Sequence, residues 1–231
     1  MAAFDAGSSF GGAGAGPHTG NHACSGSERA LFAEIMFYHS TSELLSVTFN
    51  GVEMTAVPGG SYNPGGDFHI RPYYMINPPT GAQTFSYQFN GSVFDSGVVL
   101  TSWTGVDQTT PYGTPAQATG SSTTPTVNIS SATGEFVIDG VLIIHSGTLS
   151  VGAGQTQVAN AVAPNGYIKY GGSYAAGAGT VTMDWSNTSS QFWATVAVPV
   201  KPSSGAPAGQ ASAKRRGGIP YMSSSFSPRT W

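Results

Sequence analysis

Across residues 45–57 apolar and polar positions alternate one for one. Val47 and Phe49 are set among Ser46, Thr48 and Asn50, and Val52, Met54 and Ala56 resume the alternation beyond Asn50-Gly51. A period of two marks a strand with one face buried. Asn-Gly accepts the positive φ angles of a two-residue type I′ turn, whose twist matches the strands on either side. The stretch therefore predicts a β-hairpin.

The same pattern recurs along the chain. Residues 30–38 form an apolar run broken only by Glu34, which fits a strand covered on both faces. Residues 68–76 read as a strand whose Pro72 has no N–H to donate, pointing to an edge or a bulge. Residues 82–89 place Phe85, Tyr87 and Phe89 on one face, and residues 97–103 follow after a turn at Asn90-Gly91. Further strands are expected at 126–130, 135–144, 155–161, 166–170, 180–185 and 192–200, with Gly, Pro and Asn turns between them. No long amphipathic helix is visible. The expected fold is all-β: a single antiparallel β-sandwich of jelly-roll type, with extended N- and C-terminal arms. The sandwich spans residues 28–202 and includes a long loop at 104–125. Residues 1–27, rich in Gly, Ala and Ser, are expected as an irregular arm with at most a short strand near its start. Residues 203–231 form the second arm.

Composition supports this outline. Hydrophobic residues make up 39% of the 231, enough for a core, whereas charged residues are only 8%, against about 25% in an average domain. Low charge favours association, so the chain is expected to work inside an assembly, as a homo-oligomer and by guess a trimer. The charge is also unevenly placed. Residues 1–200 hold three basic residues against all eleven acidic ones, a net of −8, and residues 201–231 hold five basic residues and no acid. Within that tail Lys214, Arg215, Arg216 and Arg229 are interleaved with Ile219, Tyr221, Phe226 and Trp231. Large apolar residues among cations make a partner-binding arm the expected role. An acidic body argues against nucleic acid as that partner. No apolar run approaches the ~18 residues of a membrane span, and the N-terminus shows neither the basic nor the apolar part of a secretory signal.

Candidate chemistry is sparse. Asp139, His145 and Ser146 are the residue types of a hydrolytic triad, but a triad converges from separate segments onto a strained nucleophile turn. Here the His and Ser are neighbours at a strand end. Isolated carboxylates at Asp67, Asp95, Asp107 and Asp184 sit in turn or strand-end contexts, where Asp serves the backbone. No metal, cofactor or catalytic residue is expected, and the chain reads as non-enzymatic. Among the aromatics, Tyr112 in the long loop is the candidate for contacting a glycan.

The blocks FDAGSS (4–9), SGSERALF (25–32), SVTFNGVEMTAV (46–57), YYMINPPTGAQTFSYQF (73–89), SWTGVDQTTPYGT (102–114), GEFVIDGV (134–141), GAGQTQ (152–157) and FWATVAVPVKP (192–202) follow one order. That order resembles a β-sandwich module of tailed-phage virion proteins and bacterial surface proteins. The resemblance implies a jelly-roll or concanavalin-like sandwich and supplies no catalytic residue. Because the module fills nearly the whole chain, it implies a stand-alone virion component: a capsid decoration (cement) protein, assembled in the host cytoplasm. Its arms would engage the major capsid protein or other virion proteins. The alternative is a carbohydrate-binding, host-adsorption module of a phage tail or capsid surface.

Overall fold

The computed structural model describes residues 1–144 and 147–204; the arm residues Lys214, Arg215, Arg216, Ile219, Tyr221, Phe226, Arg229 and Trp231 lie outside them. Eighteen strands are found among the described residues. The first ten are β1 (Ala3–Gly14), β2 (His18–Cys24), β3 (Ala30–Tyr38), β4 (Leu44–Phe49), β5 (Val52–Glu53), β6 (Thr55–Ala56), β7 (Tyr62–Gly65), β8 (Phe68–Ile76), β9 (Gly81–Phe89) and β10 (Val93–Thr104). The remaining eight are β11 (Ala116–Ser122), β12 (Thr126–Ile129), β13 (Phe136–Ile144), β14 (Leu149–Val151), β15 (Thr156–Val162), β16 (Ile168–Ala176), β17 (Val181–Asn187) and β18 (Gln191–Val200).

The antiparallel sandwich expected from the sequence is present, and it occurs twice. In the first half an inner sheet runs β1-β10-β3-β8, with β6 and β7 in succession along the far edge of β8, and an outer sheet runs β2-β9-β4-β5. In the second half the inner sheet runs β11-β18-β13-β16-β15 and the outer one β12-β17-β14. Strand for strand the order is the same, β11 standing for β1 through β18 for β10, with β15 replacing β6 and β7 and no counterpart of β5. A short sequence echo accompanies it: β3 and β13 are each followed by His-Ser, and Leu45-Ser46-Val47 returns as Leu149-Ser150-Val151.

The two inner sheets face each other, so the layers run outer, inner, inner, outer. Phe32, Met36, Val99 and Trp103 from the first inner sheet meet Ile138, Leu142, Tyr170 and Val196 from the second. The opposite faces of those inner strands pack on the outer sheets. Leu31, Ile35 and Phe37 contact Val47, Phe49, Phe85 and Phe89 on one side, while Val137, Val141 and Ile143 help bury Met183 and Trp185 on the other. This explains the continuous apolar run of β3: both faces are covered, as its pattern predicts. Close approach of the inner sheets needs bare backbone. A Cβ on Gly97 would come within 2.4 Å of the Tyr170 ring, and one on Gly172 within 2.7 Å of Val99.

Three expectations are corrected. The N-terminal segment is no irregular arm; β1 pairs with β10 from Ala3 to Gly14, and β2 pairs with β9 from His18 to Cys24. Its glycines carry the contact, since Val158 sits where a Gly7 Cβ would project and Phe10 where that of Gly20 would. Glycine content argues against a strand only when no neighbour fills the vacated space. The long loop contains β11 and is tied down by backbone bridges from Val106 to Pro202 and from Tyr112 to Val200. Finally, the hairpin divides. Asn50 and Gly51 have φ of 51° and 74°, as a type I′ turn requires, but beyond Met54 the chain leaves the outer sheet and β6 joins β8 in the inner one. Pro72 of β8 lies opposite the gap between β6 and β7, where the ladder is interrupted, so its missing donor falls where β8 is locally an edge.

Candidate functional site

Four places bear on function. Tyr112 lines a shallow groove of about 300 Å³ with Pro58, Gly59, Gly113, Thr114, Pro115 and Lys201. Its ring leans on Tyr74, centroids 4.9 Å apart, and it is half-buried at the margin of the central core. The structure thus gives this residue a packing role with one edge toward solvent, rather than the open platform that a loop position implies.

A more exposed aromatic cluster stands at another corner. Tyr38 at the end of β3 stacks on Tyr167 at 4.4 Å, and Phe94 of β10 meets both rings edge-on. Phe94 is 48% exposed and Tyr167 36%. A concavity lined by Gly14, His39, Ser92, Val93, Phe94 and Asn165 adjoins them. The loop carrying Tyr167 is held from beneath by Asp95, which is fully buried. Its carboxylate accepts the backbone N–H groups of Asn165 and Tyr167 at 2.8 and 2.7 Å. The sequence pattern assigned Asp95 to a turn or strand end, and the structure places it inside β10 instead.

A buried polar cluster occupies the second sandwich. Asp139 of β13 points away from the inner interface. Its Oδ1 accepts the N–H and the hydroxyl of Ser173 at 2.9 and 2.6 Å, and its Oδ2 accepts the indole N–H of Trp185 at 2.7 Å. Asp139 and Ser173 are each 1% exposed. Burial pushes the Asp139 carboxyl up to about 6, although the Ser173 and Trp185 hydrogen bonds hold it back. The half-buried Gln155 adjoins this pair, its amide nitrogen donating to Ser173 Oγ at 2.8 Å. Of the sequence's triad candidates, Asp139 is thus placed in the core beside a different serine; His145 and Ser146 lie outside the described residues. Nothing in the sequence pattern linked Asp139 to Ser173, Gln155 or Trp185, because the contact depends on strand order.

The fourth place is the centre of the inner interface. Glu34 of β3 is buried, and neither carboxyl oxygen has a hydrogen-bond partner among the described residues. Burial, with a smaller effect from Asp139, holds its carboxyl well above the usual range. Histidines and carboxylates otherwise stay apart: no group of three or more His, Cys, Asp or Glu is placed to hold a metal ion among the described residues. His69 is buried and its Nε2 bonds the carbonyl of His39. His22 is also buried, which lowers its imidazole to about 4.

No family model matches the chain, and comparison with curated proteins and with solved structures returns no match.

Proposed function

We propose that this chain is a non-enzymatic structural component of a bacteriophage virion, a capsid decoration protein. In this role the double sandwich is a rigid body, and residues 205–231 reach to neighbouring shell subunits. The family resemblance over residues 4–202 supports the virion setting. The observation that carries the docking role is how the basic segment joins the body. The Ser203 amide donates to the Gly105 carbonyl at 2.8 Å, and the Ser203 hydroxyl donates to Glu28 at 2.8 Å. A segment with four cations, Lys214, Arg215, Arg216 and Arg229, therefore departs from a fixed point on an acidic body, which keeps it at high effective concentration near any surface the body touches. The test is binding to purified capsids by the full chain and by one ending at Ser204. The full chain should co-sediment with shells and the shortened one should not. Equal binding by both would reject the role given to the segment.

A second function, glycan binding during host adsorption, is favoured by the exposed aromatic cluster of Tyr38, Phe94 and Tyr167. Sugars stack their apolar C–H faces on such rings, and the Asn165 backbone fixed by Asp95 holds one of them in place. A glycan array with the wild type and Tyr167→Ala separates the two functions. Binding lost in the variant would favour adsorption, and no binding by the wild type would remove it.

A further inference from the structure

Ser173, Gln155 and Asp139 are arranged as the reactants and proton shuttle of an acyl transfer within the chain. The orientation of the Gln155 amide is fixed by chemistry. Its Oε1 accepts the backbone N–H of Asp184 at 2.7 Å, and an N–H can only donate, so the nitrogen must face Ser173 Oγ, 2.8 Å away. Ser173 Oγ in turn gives its proton to Asp139 Oδ1 at 2.6 Å. A hydroxyl, a carboxylate able to take its proton, and a carbonyl whose oxygen already meets a backbone donor thus lie in one line of hydrogen bonds. With Nε2 in contact and the C–N bond about 1.3 Å long, the amide carbon lies roughly 3–4 Å from Oγ; the contacting N–H lies in the amide plane, so Oγ must still swing onto the carbonyl face to reach a near-attack geometry.

We propose that Ser173 and Gln155 condense to an intramolecular ester, with release of ammonia, and that Asp139 is the catalytic residue. Ser173 Oγ passes its proton to Asp139 Oδ1 as the Oγ–Cδ bond forms. The oxyanion develops on Oε1, facing the Asp184 N–H. Asp139 then returns the proton to Nε2 as the Cδ–Nε2 bond breaks, and ammonia leaves through the half-buried side of Gln155. Charge balances at each stage, and no oxidant, metal or co-reactant is needed.

The surroundings fit that step. A carboxyl that titrates near 6 can both accept the serine proton and give it back near neutral pH. Trp185 Nε1 and the Ser173 N–H hold Asp139 in position, the two groups that orient the base. An unactivated amide is a poor acyl donor, but the reaction happens once per chain. Positioned intramolecular groups reach effective molarities of about 10⁵–10⁸ M, and one oxyanion donor adds roughly 10²–10³ in rate. Burial of Ser173 and Asp139 shields the product on its inner side, which slows hydrolysis of the ester once formed. Mechanically, the bond would fix the chain where it crosses from outer strand β14 to inner strand β15. That corner otherwise hangs on the edge of the second inner sheet.

The experiment is intact mass spectrometry of the purified full chain held at neutral pH, followed by peptide mapping. The wild type is expected to be lighter than its sequence by one ammonia and to yield one linked peptide containing both Gln155 and Ser173, which hydroxylamine opens. Ser173→Ala and Gln155→Ala, both substitutions to a smaller side chain, should show the full sequence mass. Asp139→Asn should do likewise while keeping its β-sheet circular dichroism. A wild type at full mass overturns the proposal. So does an ammonia loss that persists in Ser173→Ala, since succinimide at Asn50-Gly51, Asn90-Gly91 or Asn165-Gly166 would then be its source.

Discussion

The carboxyl group of Glu34 lies against the bare Cα of Gly140, so close that a Cβ there would come within 2.8 Å of Oε2. The two residues occupy equivalent places in the two halves. β3 ends at Tyr38 and β13 at Ile144, each just before a His-Ser pair, and Glu34 and Gly140 stand four residues before those ends. Where the repeated sandwiches meet face to face, one half supplies a side chain and the other the space for it. A symmetric pair of glutamates would bring two unpartnered carboxyls together, and a pair of glycines would leave a void.

Replacing Gly140 by Ala should therefore strike the interface directly. Overpacking of this kind costs about 1–3 kcal/mol, and urea denaturation should show that loss with an unchanged slope.

Glu34 predicts a stability that falls as pH rises. Its folded-state carboxyl is held well above the ordinary value of 4.5, so the unfolded chain releases this proton first. The protonated group is tolerated below pH 4.5, and stability declines as pH climbs from there through the folded-state value. Glu34→Gln stays neutral throughout. Denaturation midpoints from pH 5 to 8 should diverge, with the variant more stable at the upper end; parallel curves would refute this.

His22 acts on the acid side. Burial lowers its imidazole from 6.5 to about 4, so the unfolded chain takes up a proton before the folded one does. Stability from this group is complete above pH 6.5 and is lost as pH falls toward 4, by about 2–3 kcal/mol in all. In His22→Gln that part of the acid slope should vanish from thermal melts.

Asp95→Ala leaves the part-buried backbone N–H groups of Asn165 and Tyr167 without their acceptor. A cost of about 1–2 kcal/mol is expected, since water can reach the freed N–H groups, together with faster amide hydrogen exchange at Asn165 and Tyr167. If a glycan binds the aromatic cluster, its affinity should drop in this variant although no contact residue has changed.

The C-terminal boundary of the body can be set by truncation. The Lys201 N–H donates to Pro111, Pro202 bridges Val106, and Ser203 bonds Gly105. A chain ending at Ser204 should melt like the full one, whereas one ending at Val200 should melt lower because residues 105–111 lose their partners.

Much of the secondary structure was legible in the sequence, because alternation and turn chemistry are local. Asn50-Gly51 dictates its turn through the backbone angles those residues accept, and the apolar run of β3 announces a strand covered on both faces. What a period of two cannot say is which sheet a strand joins. Met54 continues the alternation of the hairpin, yet the chain changes sheet there. β1 and β2 were hidden because their glycines are filled by Val158 and Phe10, which are distant or unremarkable in sequence. The duplication was hidden for a related reason: apart from His-Ser and Leu-Ser-Val, the halves share strand order more than residues. Among the candidate sites, Asp139 was visible as an isolated acid. Its meeting with Ser173, Gln155 and Trp185 was decided only by the pairing of β13 with β16 and the packing of β17 above them. The sequence by itself determined that the chain would form antiparallel strands with both faces in use. Only tertiary packing decided that the strands form two sandwiches, and which polar groups those sandwiches bury together, because burial depends on the neighbour each face meets.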